Sequence, residues 1–285
     1  MAHQFIHVEE ADGVLLITMD DPRTRNALGG EMSQEINEEL DRLEAEPHLR
    51  VLVLTGKDPA FCSGANVRRF NENIEARERQ RQEAPAEPPG PSAWERMEAR
   101  WMPNAGREDR SRFLPLRIHN LQKPSIAMVN GPAAGIGMGI AISCDIRTAS
   151  EKAGFSEAFI RNGLIPADGS CWQLPRMIGL GNTLLLQYLG DMTPAEEAYR
   201  LGLVNRLVAH ERLLEETMAL ARRLAEGPTY SMSLIKWLVH KSLYTDLEES
   251  LRVAGAAQSI ARETQDHKEG VRAFLEKRKP EFKGK

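Results

Sequence analysis

An α/β architecture is predicted by three features of this 285-residue chain. Short runs rich in Val, Ile and Leu alternate with segments of helical periodicity, and two of the runs end in glycine-rich turns, the second of which opens a helix. The last third reads as helix almost throughout.

Taken in order, Phe5 to Glu10 and Val14 to Asp20 flank Ala11-Asp12-Gly13, which is a hairpin signal. From Glu31 onward, Met32, Ile36, Leu40 and Leu43 recur at spacings of four, four and three, so they share one helical face. Val51 to Thr55 is a buried strand ending at Gly56. Ser125 to Val129 is another, stopped by Asn130-Gly131-Pro132, and Ile136 to Cys144 follows as a buried helix. Thr193-Pro194-Ala195-Glu196 reads as a capping box with proline at the first helical position, and Gly202 as the stop of that helix. A short strand is expected over Leu203 to Val208, then helix from Glu211 to Lys277 broken at Gly227-Pro228. The predicted organisation is an α/β core over residues 1–200 and a helical region over 201–285.

The segment at about 71–112 stands apart, with 17 charged residues among 42 and four prolines between Glu83 and Ser92. Such a composition buries too little apolar surface to offset ordering entropy, which predicts a mobile insertion. Trp94, Trp101 and Met102 argue that part of it packs, at a substrate mouth.

Composition excludes several classes of function. Thirty-seven Lys plus Arg against 41 Asp plus Glu give a net charge of −4, without the basic excess that nucleic acid or an anionic membrane requires. Cys62, Cys144 and Cys171 are odd in number and far apart, so the chain is expected to be reduced and cytoplasmic. The uncharged run from Pro124 to Cys144 is 21 residues long but carries two prolines, four glycines and Asn130, which argues against a membrane span. The seven histidines form no HExxH or other paired ligand spacing, and no metal is expected. Gly135, Gly137 and Gly139 are followed by Ile140 where a dinucleotide fingerprint needs its third glycine.

Two segments share one physical theme. Small residues follow a strand end through Cys62-Ser63-Gly64-Ala65, and again through Ala133-Ala134-Gly135-Ile136, where a helix start adds unpaired amides and a positive dipole. Facing each other, two such points would form an oxyanion hole from main chain alone, each donor worth about 3 kcal/mol to a developing enolate. Close packing alone would also explain the small residues.

The chain resembles the crotonase, or enoyl-CoA hydratase/isomerase, superfamily. The matching residues are Pro22 with Arg25-Asn26-Ala27-Leu28, Val51 to Val67, Lys123-Pro124 with Asn130 through Gly139, Cys144-Asp145-Ile146-Arg147, Gly163-Leu164-Ile165-Pro166 and Phe274 through Arg278. The resemblance implies a spiral of ββα turns with a C-terminal helical trimerisation region, and a homotrimer or dimer of trimers that binds acyl-CoA. Coenzyme A would enter as part of the thioester substrate, with no separate cofactor. It carries the oxyanion donors onto the amides of Ala65 and Ile136, and CoA binding onto Arg25, Ala27, Ala65, Asn66, Val67 and Phe282. It also exposes a departure: the two glutamates of the hydratases fall on Gly139 and Phe159, neither of which accepts a proton.

The nearby carboxylates are Glu157 and Asp168. Asp168-Gly169 is also a good turn dipeptide, and a glutamate such as Glu157 is more often solvated or salt-bridged than buried. Asp145, His119, Cys62 and Cys144 read as packing or structural residues. Isomerisation of a double bond, which needs one carboxylate, fits these residues best. Hydration by other carboxylates and a CoA-binding scaffold without catalysis are the alternatives.

Overall fold

The computed structural model describes residues 3–66, 75, 76, 78, 79 and 112–285. The chain folds as two compact units, one of Met1–Ala65 with Leu114–Lys285 and one of Asn66–Phe113. Most of the expected insertion at 71–112 lies outside the described residues, as do Trp94, Trp101 and Met102. Residues 201–285 belong to the same unit as the strands.

Strands β1 (Ile6–Ala11) and β2 (Val14–Met19) form the expected hairpin, with Ala11 opposite Val14. Asp12 and Gly13 both take positive φ, 53° and 78°, as a two-residue hairpin turn requires. Strands β3 (Val51–Gly56), β4 (Ser125–Val129), β6 (Ile146–Ser150) and β9 (Arg206–Val208) then add in parallel, giving a six-stranded sheet in the order β1-β2-β3-β4-β6-β9. A second sheet holds β5 (Pro132–Ala134), β7 (Gly154–Ser156) and β8 (Thr193–Pro194).

Strands with both faces covered read as continuous apolar runs, and β3 is buried at every position. The alternation of side chains divides its residues between two cores. Leu52 and Leu54 pack with Leu15 and Ile17 against Met32, Ile36, Leu40 and Leu43, the predicted face of helix α1 (Gly30–Ala45). Val51 and Val53 pack on the other side with Val14, Leu16 and Met128, against Leu213, Ala221 and Ala225 of a C-terminal helix, Leu213–Ala225. Helix α2 (Leu114–His119) and helix α3 (Ile136–Ser143) also contribute to the α1 side. The uncharged run from Pro124 is thus β4, β5 and α3, and no described helix is long and apolar enough to cross a membrane.

Helices α4 (Ser170–Ile178), α5 (Leu180–Leu189), α6 (Ala195–Arg200), α7 (Leu213–Ala225), α8 (Thr229–Ser242), α9 (Leu247–Glu263) and α10 (Gln265–Glu276) follow. Three local expectations are corrected. Thr193 and Pro194 make no side-chain cap. They pair instead with Phe155 and Gly154, because the edge of β7 needs a backbone partner. The strand expected over Leu203 to Val208 begins only at Arg206, since the amides of Leu203 and Val204 both turn back to the Ala198 carbonyl at 2.9 and 3.2 Å and close α6. The long C-terminal helix breaks at Gly227-Pro228 as expected, and again where Asp246 and Thr264 cap α9 and α10 by accepting the amides of Glu249 and His267.

Candidate active site

The loops after β3 and β4 run side by side. The amides of Phe61 and Cys62 donate to the Pro132 carbonyl at 3.1 and 3.2 Å, and the Ala134 amide donates to Cys62 at 3.0 Å. Gly64 permits the closest approach: with φ at 102°, a Cβ built on it would stand 2.8 Å from the Ala134 oxygen. The same Cβ would stand 4.0 Å from the Gly135 Cα, so Ala65 and Ile136 directly follow two residues in close approach, Gly64 and Gly135. Ile136 is the first residue of α3, where an amide has no partner within its own helix.

The segment carrying Arg25 and Ala27 is tied to the same loop. The Leu28 amide donates to the Gly64 carbonyl at 2.8 Å, and the Ser63 amide to the Arg25 carbonyl at 3.0 Å. Both Arg25 and Asn26 have positive φ, 57° and 59°, held there by the Asn26 amide group, which donates to the carbonyls of Lys57 and Ala60 at 2.9 and 2.8 Å. Arg25 is exposed and Ala27 buried. Asn66 begins the second unit, and Val67 lies outside the described residues. Phe282 packs near Gly270 of α10, and its carbonyl accepts from Arg50 at 3.1 Å.

The structure buries both carboxylates. Glu157, the residue after β7, is 0% exposed, which overturns the expectation of a solvated or salt-bridged side chain. Asp168 precedes Gly169, the N-cap of α4, and is 2% exposed. Ser170 links them, its hydroxyl donating to Glu157 Oε2 at 2.9 Å and its amide to Asp168 Oδ1 at 3.1 Å. The other oxygen of each, Glu157 Oε1 and Asp168 Oδ2, is buried without a hydrogen-bond partner among the described residues. Burial first, and then the charge of Asp168, push the Glu157 carboxyl up to about 8, while burial raises Asp168. At neutral pH Glu157 therefore keeps its proton.

Gly139 explains why Asp168 fits. A Cβ on Gly139 would lie 2.3 Å from Asp168 Oδ2, so the carboxylate fills the space that a side chain on α3 would claim. Phe159, at the second departure, is half-buried with its ring edge 3.7 Å from where a Gly135 Cβ would stand. Beyond Gly139 the network continues: Ser143 donates to the Gly139 carbonyl at 2.7 Å and accepts from Gln173 at 3.0 Å. Ser143 and Gln173 also line a cavity of about 410 Å³ between α3, α4 and α8, walled by Ile142, Trp172, Met177 and Ile235.

The residues read as packing stay so. Cys62 and Cys144 are buried free thiols pushed up to about 11 and about 12 by burial, and Asp145 accepts from Ser125 and pairs with Lys236 at 2.9 Å. Glu10, Glu46 and His48 form the one group with metal-ligand spacing among the described residues, but Arg42 pairs with both glutamates. Ser170 and Gln187, whose amide reaches the Ser170 hydroxyl at 3.4 Å, carried no sequence signal: a serine at a helix start is commonplace.

A largely parallel sheet whose strand ends carry two glycine-rich loops in close contact, a buried carboxylate pair seated against the helix that follows the second loop, and a helical C-terminal region are the features of a crotonase fold. The chain belongs to the enoyl-CoA hydratase/isomerase family, whose model matches residues 9–285. It is 34% identical to the 1,2-epoxyphenylacetyl-CoA isomerase of Escherichia coli K12, covering 98% of this chain and 97% of that one. It is 31% identical to the crotonyl-CoA hydratase of Syntrophomonas wolfei, covering 99% of each. A crystal structure of an enoyl-CoA hydratase/isomerase from Cupriavidus metallidurans CH34 superposes with a TM-score of 0.82 at 29% identity, covering 100% of this chain and 98% of that one.

Proposed function

We propose that this chain isomerises the double bond of an enoyl-CoA thioester, with Asp168 as the base that moves the proton. The observation that carries this reading is the Asp168 carboxylate itself, buried, with Oδ2 unpartnered and seated against Gly139. Oδ2 takes a proton from the α carbon, the released electron pair delocalises into the thioester carbonyl, and the amides of Ala65 and Ile136 hold the oxygen. The same oxygen returns the proton at the γ carbon, which shifts the double bond and leaves the enzyme unchanged. Glu157, holding its own proton, adds no second negative charge against the enolate. Arg25, Ala27, Ala65 and Phe282 would hold coenzyme A, which enters as part of the thioester substrate.

Hydration is the second reading. The unpartnered Glu157 Oε1 and Asp168 Oδ2 are two polar atoms of the kind that hold and activate a water, and one relative is a crotonyl-CoA hydratase.

A 3-enoyl-CoA and a 2-enoyl-CoA, each incubated in deuterated, ¹⁸O-labelled water, together separate the readings, because water adds only to the conjugated double bond of the second. Isomerisation gives the 2-enoyl product with deuterium exchange and no ¹⁸O. A product carrying ¹⁸O selects hydration, and tight binding without exchange at the α carbon selects a scaffold.

A further inference from the structure

We propose that Ser170 is the positioning residue of this site, pinning one oxygen of each carboxylate so that only Glu157 Oε1 and Asp168 Oδ2 are left for the reacting atoms. The inference deepens the isomerase reading and rests on it for its kinetic arm alone.

The geometry is specific. Ser170 is fully buried at the first position of α4, where its amide has no partner within the helix. That amide reaches Asp168 Oδ1 at 3.1 Å, and the hydroxyl reaches Glu157 Oε2 at 2.9 Å, so one residue joins a carboxylate from the end of β7 to one from the start of α4. Gln187 of α5 donates to the hydroxyl oxygen at 3.4 Å, which leaves the hydroxyl proton free to point at Glu157. A carboxylate anchored through one oxygen loses rotational freedom, and the other oxygen then has one direction to face.

The surrounding charges leave the pair without another counterweight among the described residues. Helix α3 carries no titratable side chain, Cys171 of α4 is a thiol raised by burial, and Arg161 of the 3-10 turn over Ala158–Asn162 is tied to Asp191 at 2.6 Å. The Ser170 hydroxyl is the group that favours the charged form of Glu157.

The test pairs Ser170→Ala with Ser170→Thr, which restores the hydroxyl, and reads both kinetics and titration. The alanine variant should lose about 10- to 100-fold in kcat at nearly unchanged KM, a loss in the range of general acid–base positioning effects. Its alkaline limb should move to higher pH, because the bond that stabilised the Glu157 anion is gone. The threonine variant should restore the limb. Infrared or ¹³C titration of Glu157 in the free protein must show the same upward move, and this arm needs no substrate. Should Ser170→Ala fail to fold, Gln187→Met gives the same direction with a smaller size. A lowered melting temperature with kcat, pH profile and Glu157 titration unchanged overturns the proposal while leaving the isomerase reading intact. A shifted titration in an enzyme that exchanges no α proton keeps the anchor and removes the reading.

Discussion

Gly139 and Asp168 act as one unit, because the missing side chain of the first makes the space for the second. Gly139→Ala would set a Cβ 2.8 Å from the Asp168 Cβ and Cγ, so the whole carboxylate must move. Turnover should fall at least 10-fold while binding of the CoA thioester, measured by calorimetry, changes little; undiminished turnover would show that Asp168 is not held at this spot for the reaction. Asp168→Asn keeps the shape and removes the base, and should cost about 10² to 10⁴ in turnover. Glu157 gives a pH prediction. Its folded value, about 8, lies above the ordinary 4.5, so the folded chain holds a proton that the unfolded chain releases. The stability this adds is complete below pH 4.5 and is lost as pH rises through 8. Glu157→Gln should therefore melt with a flatter pH dependence than the parent between pH 5 and pH 9, and parallel curves would refute a proton held on Glu157. At this scale the sequence marked the carboxylates and the glycine departure but not their contact. Steric complementarity between residues 29 positions apart leaves no periodic trace, and neither does Ser170.

Among the elements, the buried parallel strands were the most legible, because a strand covered on both faces reads as a nearly continuous apolar run, as Val51–Gly56 and Ser125–Val129 do apart from Thr55 and Ser125. Short elements were the least legible, since backbone pairing decided Thr193-Pro194 against its local capping signal. Helix α8 is docked by aromatic contacts that periodicity does not reveal. His240 stacks on His119 of α2 with ring centroids 4.2 Å apart, and His119 meets Trp172 of α4 edge-on at 5.3 Å. Burial, the neighbouring imidazole and Lys236 hold His119 down to about 4, and burial and Lys236 lower His240, with Asp145 opposing both. A histidine whose folded value lies below the ordinary 6.5 contributes stability above that pH and loses it on acidification toward 4. The protection of the α8 amides, measured against their intrinsic exchange rates at each pH, should fall between pH 7 and pH 4.5, and His240→Phe, which keeps a ring in the stack, should reduce the change. An equal loss of protection in both proteins would assign the loosening to other groups.

For the whole molecule, the alternation of strand and helix was enough to foresee an α/β core, while the partition of the C-terminal third was not. Helix α7 seals the second face of the sheet through Leu213, Ala221 and Ala225, a long-range match that no local pattern encodes. The helices beyond it present an unusual surface. Phe274 and Leu275 are 83% and 74% exposed, and Trp237, Val239, Leu247 and Leu251 are exposed with them. A monomer that left so many large apolar side chains in water would be prone to association, and closed symmetric assembly is the usual way to cover such a surface. The resemblance to the crotonase superfamily implies that the assembly is a trimer, at three times 31.9 kDa, about 96 kDa, or a dimer of trimers at about 191 kDa. Light scattering at micromolar concentration should return one of these masses. Glutamate at both Phe274 and Leu275 should shift it toward the single chain, since burying two unpaired charges in an interface costs several kcal/mol. A parent protein that remains at 31.9 kDa across the concentration range excludes the trimer and leaves these helices as a surface for something else.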